Sequence, residues 1–158
     1  MTHAVSAASK GDAVKPLHNA STADSYADLP FLPAGGVASA KGFKACGIHA
    51  GFRADPKRLD FALVAADQPA ACAAVFTTNV FCSAPVTVSK EHLDGAGYGI
   101  ARAVAINSGI ANAATGDKGL QTARQSSGIV ADALGCPVQE VLVASTGVIG
   151  QHLQMEPF

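Results

Sequence analysis

Two short apolar runs, each breaking off into Asn, Ser, Thr and Gly, bracket a single helical pattern between residues 101 and 150. The first reads ARAVAINSGIANAATG and the second VQEVLVASTGVIG. An apolar run bounded by turn formers is the pattern of a buried strand, and strand, helix, strand in succession predicts a parallel crossover. Such crossovers are almost always right-handed, so both polar loops leave the same edge of the sheet. Open α/β sheets bind ligands along that edge. The site is therefore expected where residues 107–116 meet residues 145–150.

The intervening helix is expected over residues 119–134. Asp117 can accept from the free amides of the first turn, Gly135 occupies the C-terminal stop, and Pro137 blocks continuation. Leu120, Ala123, Ile129, Val130, Ala133 and Leu134 are expected to face the sheet.

Upstream, AKGFKACGIHAGF, LDFALVAAD, ACAAVFTTN and APVTVSKEHL are β-prone segments separated by Gly, Pro, Asp and Asn, as in an antiparallel meander. Strands are expected near residues 43–50, 60–65, 73–77 and 86–89. Asp67-Gln68-Pro69 reads as a turn, because proline fixes its own φ and restricts the residue before it. Frequent alanine calls for closely packed faces. Asp94, Gly95, Gly97 and Gly99 read as a loose connection. Residues 1–33 show no apolar period and carry Pro16, Pro30 and Pro33, and are read as a mobile tail, leaving 34–158 as one α/β domain.

A chain of 158 residues with 49% apolar content can build one core. A formal charge of −1 supplies no basic field for nucleic acid or an anionic membrane. With no long apolar run and no charged head before a hydrophobic stretch, the cytoplasm is the expected compartment. Cys46, Cys72, Cys82 and Cys136 lack any CxxC spacing and read as reduced packing residues, so no metal or cofactor is expected. Lys41 reads as a solvated flank of a strand. His49 has no acid beside it in sequence, and a general base needs an orienting partner, so it reads as a satisfied or surface histidine. Thr77, Thr78 and Asn79 read as a turn in a position where binding loops occur.

Asn107-Ser108-Gly109 and Thr115-Gly116, leading into a helix, form an anion-binding pattern: helix N-terminal amides carry partial positive charge, and glycine lets a ligand approach. The pattern suits a phosphate, the oxyanion of an acyl-transfer intermediate, or a Gly-rich turn with no ligand. Neither Walker spacing nor GxGxxG is present.

AKGFKACGIHAG, AAVFTTN followed by APV, INSGIANAATG and VLVASTGVIG stand in the order and spacing of the bifunctional arginine-biosynthesis acetyltransferase family, the ornithine acetyltransferases or glutamate N-acetyltransferases. The chain resembles that family over residues 32–155. The resemblance implies a mixed-sheet α/β fold with helix layers, half of a layered sandwich of the self-cleaving type. It implies a precursor that cuts itself before a threonine into α and β chains. The new terminal threonine is then the nucleophile, with its α-amine as base. Acetyl passes from N-acetylornithine to that threonine and on to glutamate, without a bound cofactor; some members also use acetyl-CoA. Thr115 and Gly116 match the oxyanion-hole positions, Thr146 a substrate-binding position, and Asn107 and Ser145 residues that shape the two loops.

Two departures accompany the resemblance. Ile110 and Ala114 stand where the family pattern has a polar residue and a thiol. The sequence also ends at Phe158, ahead of the cleavage motif the family would place downstream. The reading at this stage is an α-chain part that works in a hetero-oligomer with its β chain. Alternatives are an inactive fragment and a self-cleaving aminopeptidase or amidase of related fold.

Overall fold

The structure, a computed structural model, describes residues 35–94 and 97–158. The tail assigned to residues 1–33, and Gly95 of the expected connection, lie outside the described residues. Gly36–Phe158 form one compact unit. Its order is β1 (Phe43–Ile48), β2 (Phe61–Ala73), α1 (Ala84–His92), β3 (Tyr98–Ile110), α2 (Gly116–Leu134) and β4 (Val141–Val148). The strands form one mixed sheet in the order β1-β2-β3-β4, antiparallel across the first two pairings and parallel between β3 and β4.

The meander and the crossover are both present, with three corrections to the strands. Asp67-Gln68-Pro69 is not a turn between strands but lies inside β2. There the register against β3 slips between Ala65 and Ala70. Proline has no N–H for the ladder, and a bulge is where a sheet tolerates that loss. The strand expected at 73–77 ends at Ala73. Residues 86–89, read as a strand from Val86, Thr87 and Val88, are helical in α1. Pro85 lies in the helix's first turn, where no amide is needed, and Val88 and Leu93 are fully buried. Burying each such side chain contributes about 1.5–3 kcal/mol, more than the modest helix penalty of β-branched residues.

On β3, Ala101, Ala103, Ala105 and Asn107 are buried at a period of two. Ala103 and Ala105 join Val141 and Val143 of β4, Ala84 and Val88 of α1, and Ala123, Val130 and Ala131 of α2 in the main core. The alanines therefore do bring the layers close. α2 ends as expected at Leu134 with Gly135 left-handed (φ 61°), but it begins at Gly116, with Thr115 rather than Asp117 at the cap. Its buried stripe also differs from the apolar one expected: it is Gly119, Thr122, Ala123, Ser126, Ser127, Val130 and Ala131, while Ala133 is exposed. The hydroxyls on that stripe bond back to the helix's own carbonyls, Ser126 to Ala123 at 2.9 Å and Ser127 to Arg124 at 2.8 Å. Small, internally satisfied residues let α2 lie close against its neighbours.

β4 is an edge strand, and α1 covers part of that edge. Oγ of Ser89 donates to the Val143 carbonyl at 2.9 Å and accepts from the Val143 amide at 3.0 Å. Nδ1 of His92 donates to the Val141 carbonyl at 2.8 Å. These bonds occupy backbone groups that an open edge would leave for aggregation. Among the described residues, no helix is long and apolar enough to cross a membrane.

Candidate functional site

Both polar loops leave the same end of the β3–β4 pair. Ser108 stands opposite Thr146 and Gly109 opposite Gly147 in the parallel register. Past the strands, the Ala111 amide donates to the Val148 carbonyl and the Gly150 amide to the Ala113 carbonyl, both at 2.9 Å. Asn107 braces the two loops: its Nδ2 donates to the Ile110 carbonyl at 2.9 Å and its Oδ1 accepts from Oγ of Ser145 at 2.6 Å. That is the loop-shaping role read for these two residues. Gly147 (φ 135°) lies against the backbone of Gly109, and a side chain there would collide with it.

Between Asn112 and Gly116 the backbone alternates in hand, with left-handed φ of 48° at Asn112, 56° at Ala114 and 57° at Gly116. Thr115 (φ −114°, ψ 2°) followed by left-handed Gly116 makes successive amides point to one side, a concavity suited to an anion. The first amides of a helix have no intrahelical acceptor, and the Thr115 side chain caps none of those of α2.

Thr115 and Gly116 line an open hollow of about 200 Å³ with Ala114, Asp117, Cys82 and Thr87. None of the residues lining it is cationic, and the acidic Asp117 is among them. A resident phosphate would face that charge without a counter-ion, whereas an acyl oxygen carries one negative charge for the life of an intermediate. A second hollow of about 490 Å³ shares Cys82 and Thr87 with the first and is lined by Thr77, Thr78 and Asn79. Thr77 and Asn79 form turns: the Asn79 amide donates to Thr77 Oγ1 at 3.2 Å and the Phe81 amide to Asn79 Oδ1 at 2.9 Å. Thr115 and Gly116, neighbours in the chain, both line the smaller hollow. Thr146 stands exposed on β4 and does not line their hollow.

Two features were not read from the sequence. His49 has an acid partner: its Nδ1 donates to the Arg58 carbonyl at 3.0 Å and lies 3.3 Å from Oδ2 of Asp60, eleven residues on. Asp60 is buried and takes the amides of Ala50, Gly51 and Arg53. Burial raises its pKa, but those amides and His49 outweigh it and hold the carboxyl below its ordinary 3.8. The second feature is the support beneath Thr115, where Oγ1 donates to Oδ1 of Asn112 at 2.9 Å. The three-residue step from Gly116 to Gly119 was the available signal for it.

The sequence profile of the ArgJ family matches residues 44–158. Arginine biosynthesis bifunctional protein ArgJ of Nitratidesulfovibrio vulgaris is 51% identical over 119 residues, 75% of this chain and 30% of that protein. The chloroplastic ArgJ of Ostreococcus lucimarinus is 48% identical over 122 residues, 77% of this chain and 26% of that protein. The chain thus spans about a quarter to a third of the length of these relatives. Among solved structures, ArgJ from Bacillus halodurans superposes with a TM-score of 0.73 at 42% identity, covering 80% of this chain and 64% of that one. The ornithine acetyltransferase of Mycobacterium tuberculosis, solved with ornithine, gives 0.73 at 40% identity, covering 80% and 66%. The chain belongs to the ArgJ family.

Proposed function

We propose that this chain supplies the oxyanion-stabilising part of an acetyltransferase of arginine biosynthesis, moving acetyl from N-acetylornithine to glutamate. The observation that carries the reading is the uncapped start of α2 at Thr115 and Gly116, both of which line a hollow with no cationic residue in its wall. The nucleophile is the terminal threonine of a β chain released from the same precursor by self-cleavage, and α and β chains assemble into a hetero-oligomer. The threonine hydroxyl attacks the acetyl carbonyl as the α-amine takes its proton and the carbonyl π electrons move to oxygen; on collapse the C–N bond breaks while that proton passes to the departing nitrogen, releasing ornithine as the amine. Glutamate then takes the acetyl group in the reverse sequence. Thr115 and Gly116 donate to the oxygen while it is negative, and Thr146 contacts the substrate. Acetyl-CoA is a second donor that the same chemistry accepts. The arginine-biosynthesis names of the relatives support this over amide hydrolysis on a similar fold.

The test offers N-acetylornithine with glutamate, in parallel with a peptide amide, to the chain assembled with its β chain. N-acetylglutamate and ornithine are the expected products. Turnover of the amide alone overturns the reading.

A further inference from the structure

The support beneath Thr115 is more elaborate than a helix start requires. Thr115 gives its hydroxyl proton to Asn112, and Asn112 is itself locked: its Nδ2 donates to the Gly119 carbonyl at 3.0 Å and to Oγ1 of Thr122 at 3.4 Å. Because a carbonyl only accepts, these bonds fix which end of the amide faces Thr115. Asn112 is fully buried and left-handed, a backbone state that asparagine adopts more readily than most residues. Gly119 completes the seat. A Cβ there would run into Oγ1 of Thr115 and come within 2.8 Å of both Oδ1 of Asn112 and Cβ of Thr115. Glycine inside a helix costs about 1 kcal/mol relative to alanine, so helix stability does not account for it.

We propose that Asn112 and Gly119 are positioning residues that aim the oxyanion donors at Thr115 and Gly116, an inference resting on the acetyl-transfer reading above. In the resting site the Thr115 hydroxyl proton is held by a neutral amide oxygen. As the acyl oxygen becomes negative, the hydroxyl turns toward it, exchanging a neutral hydrogen bond for a charge-assisted one roughly twice as strong. No proton is transferred. The interaction strengthens only as charge develops, so it acts on kcat and not on substrate affinity. Asn112 gives the hydroxyl a defined starting position, and the bare α-carbon of Gly119 leaves the space for it.

The test is a double-mutant cycle of Thr115→Ala and Gly119→Ala, with acetyl transfer measured on the chain assembled with its β chain. Thr115→Ala is expected to lower kcat about 10²–10³-fold, the usual effect of losing one oxyanion donor. Gly119→Ala is expected to lower kcat by at least tenfold with KM within about twofold, and to add nothing in the Thr115→Ala background, where the atom it strikes is gone. If Thr115→Ala leaves kcat unchanged, the oxyanion reading fails and takes this inference with it. If Thr115→Ala slows the enzyme while Gly119→Ala does not, or the two effects multiply, this inference alone fails. A second measurement needs no activity: in the chain alone, three-bond couplings to the Thr115 γ-methyl should report one χ1 rotamer in the parent and averaging in Gly119→Ala. Identical couplings in the two proteins overturn the seat.

Discussion

The Asp60 carboxylate lies 3.3 Å from Nδ1 of His49 while accepting the amides of Ala50 and Arg53 at 2.6 and 2.8 Å, so one buried acid organises the whole β1–β2 connection. Its pKa in the folded chain is below the ordinary 3.8. A depressed carboxyl contributes stability that is complete above the unfolded-state pKa and disappears as pH falls through the folded one. Asp60 therefore favours the fold at neutral pH, and this contribution begins to fall below about pH 4 and is lost as pH drops through the lowered pKa of the folded chain. Asp60→Asn should destabilise the chain at pH 7 by about 1–3 kcal/mol, since one oxygen becomes a donor facing donors. Urea unfolding at pH 7 and at pH 3 checks it: the gap between parent and variant should narrow at pH 3, and an equal gap at both would contradict the assignment.

Ser89 satisfies both backbone groups of Val143 with one hydroxyl. Ser89→Ala leaves both without partners and should cost about 2 kcal/mol in chemical denaturation. A change below 0.5 kcal/mol, on the order of a neutral surface substitution, would mean that α1 does not guard the edge of β4.

Gly147 and Gly109 hold the two loops in backbone contact. Gly147→Ala adds a left-handed alanine and a Cβ within 2.6 Å of the Ile110 amide nitrogen. Strain and overpacking together should cost roughly 3 kcal/mol or more. A thermal melt superimposable on the parent would show the loops to be farther apart than described.

The thiols should react in an order set by burial. Cys46 is exposed on β1, whereas burial pushes the Cys136 thiol up, with Arg102 opposing and Glu140 reinforcing that shift. The thiolate is the nucleophile, so iodoacetamide at pH 7.5 should modify Cys46 first and Cys136 far more slowly. Time-resolved peptide mass spectrometry reads the order directly, and faster labelling of Cys136 would contradict it.

Local pattern carried the crossover because its determinants are local: the apolar runs leading to Asn107 and Ser145 lie within β3 and β4, which run on to Ile110 and Val148, and the stop formed by Gly135 and Pro137 follows directly on the last residue of α2. Helix α1 escaped because Val86, Thr87 and Val88 favour strand, and only burial of Val88 against other elements decides otherwise. Pro69 misled because a bulge can host the missing amide without ending the strand. Thr115 and Gly116, the proposed oxyanion donors, were legible by type and spacing at the head of a helix. Asn112 was not, since the groups it bonds, the Thr115 hydroxyl and the Gly119 carbonyl, are brought to it only by the buried turn. His49 and Asp60 stood too far apart in sequence to be paired by eye, and the fold of the β1–β2 connection brings them together.

The most direct measurement is kcat for acetyl transfer from N-acetylornithine to glutamate in the Thr115→Ala variant, with chain assembly verified by sedimentation. A fall on the order of 10²–10³-fold at nearly constant KM is the result that oxyanion stabilisation at the start of α2 requires. A correctly assembled variant that turns over at the parent rate would contradict it.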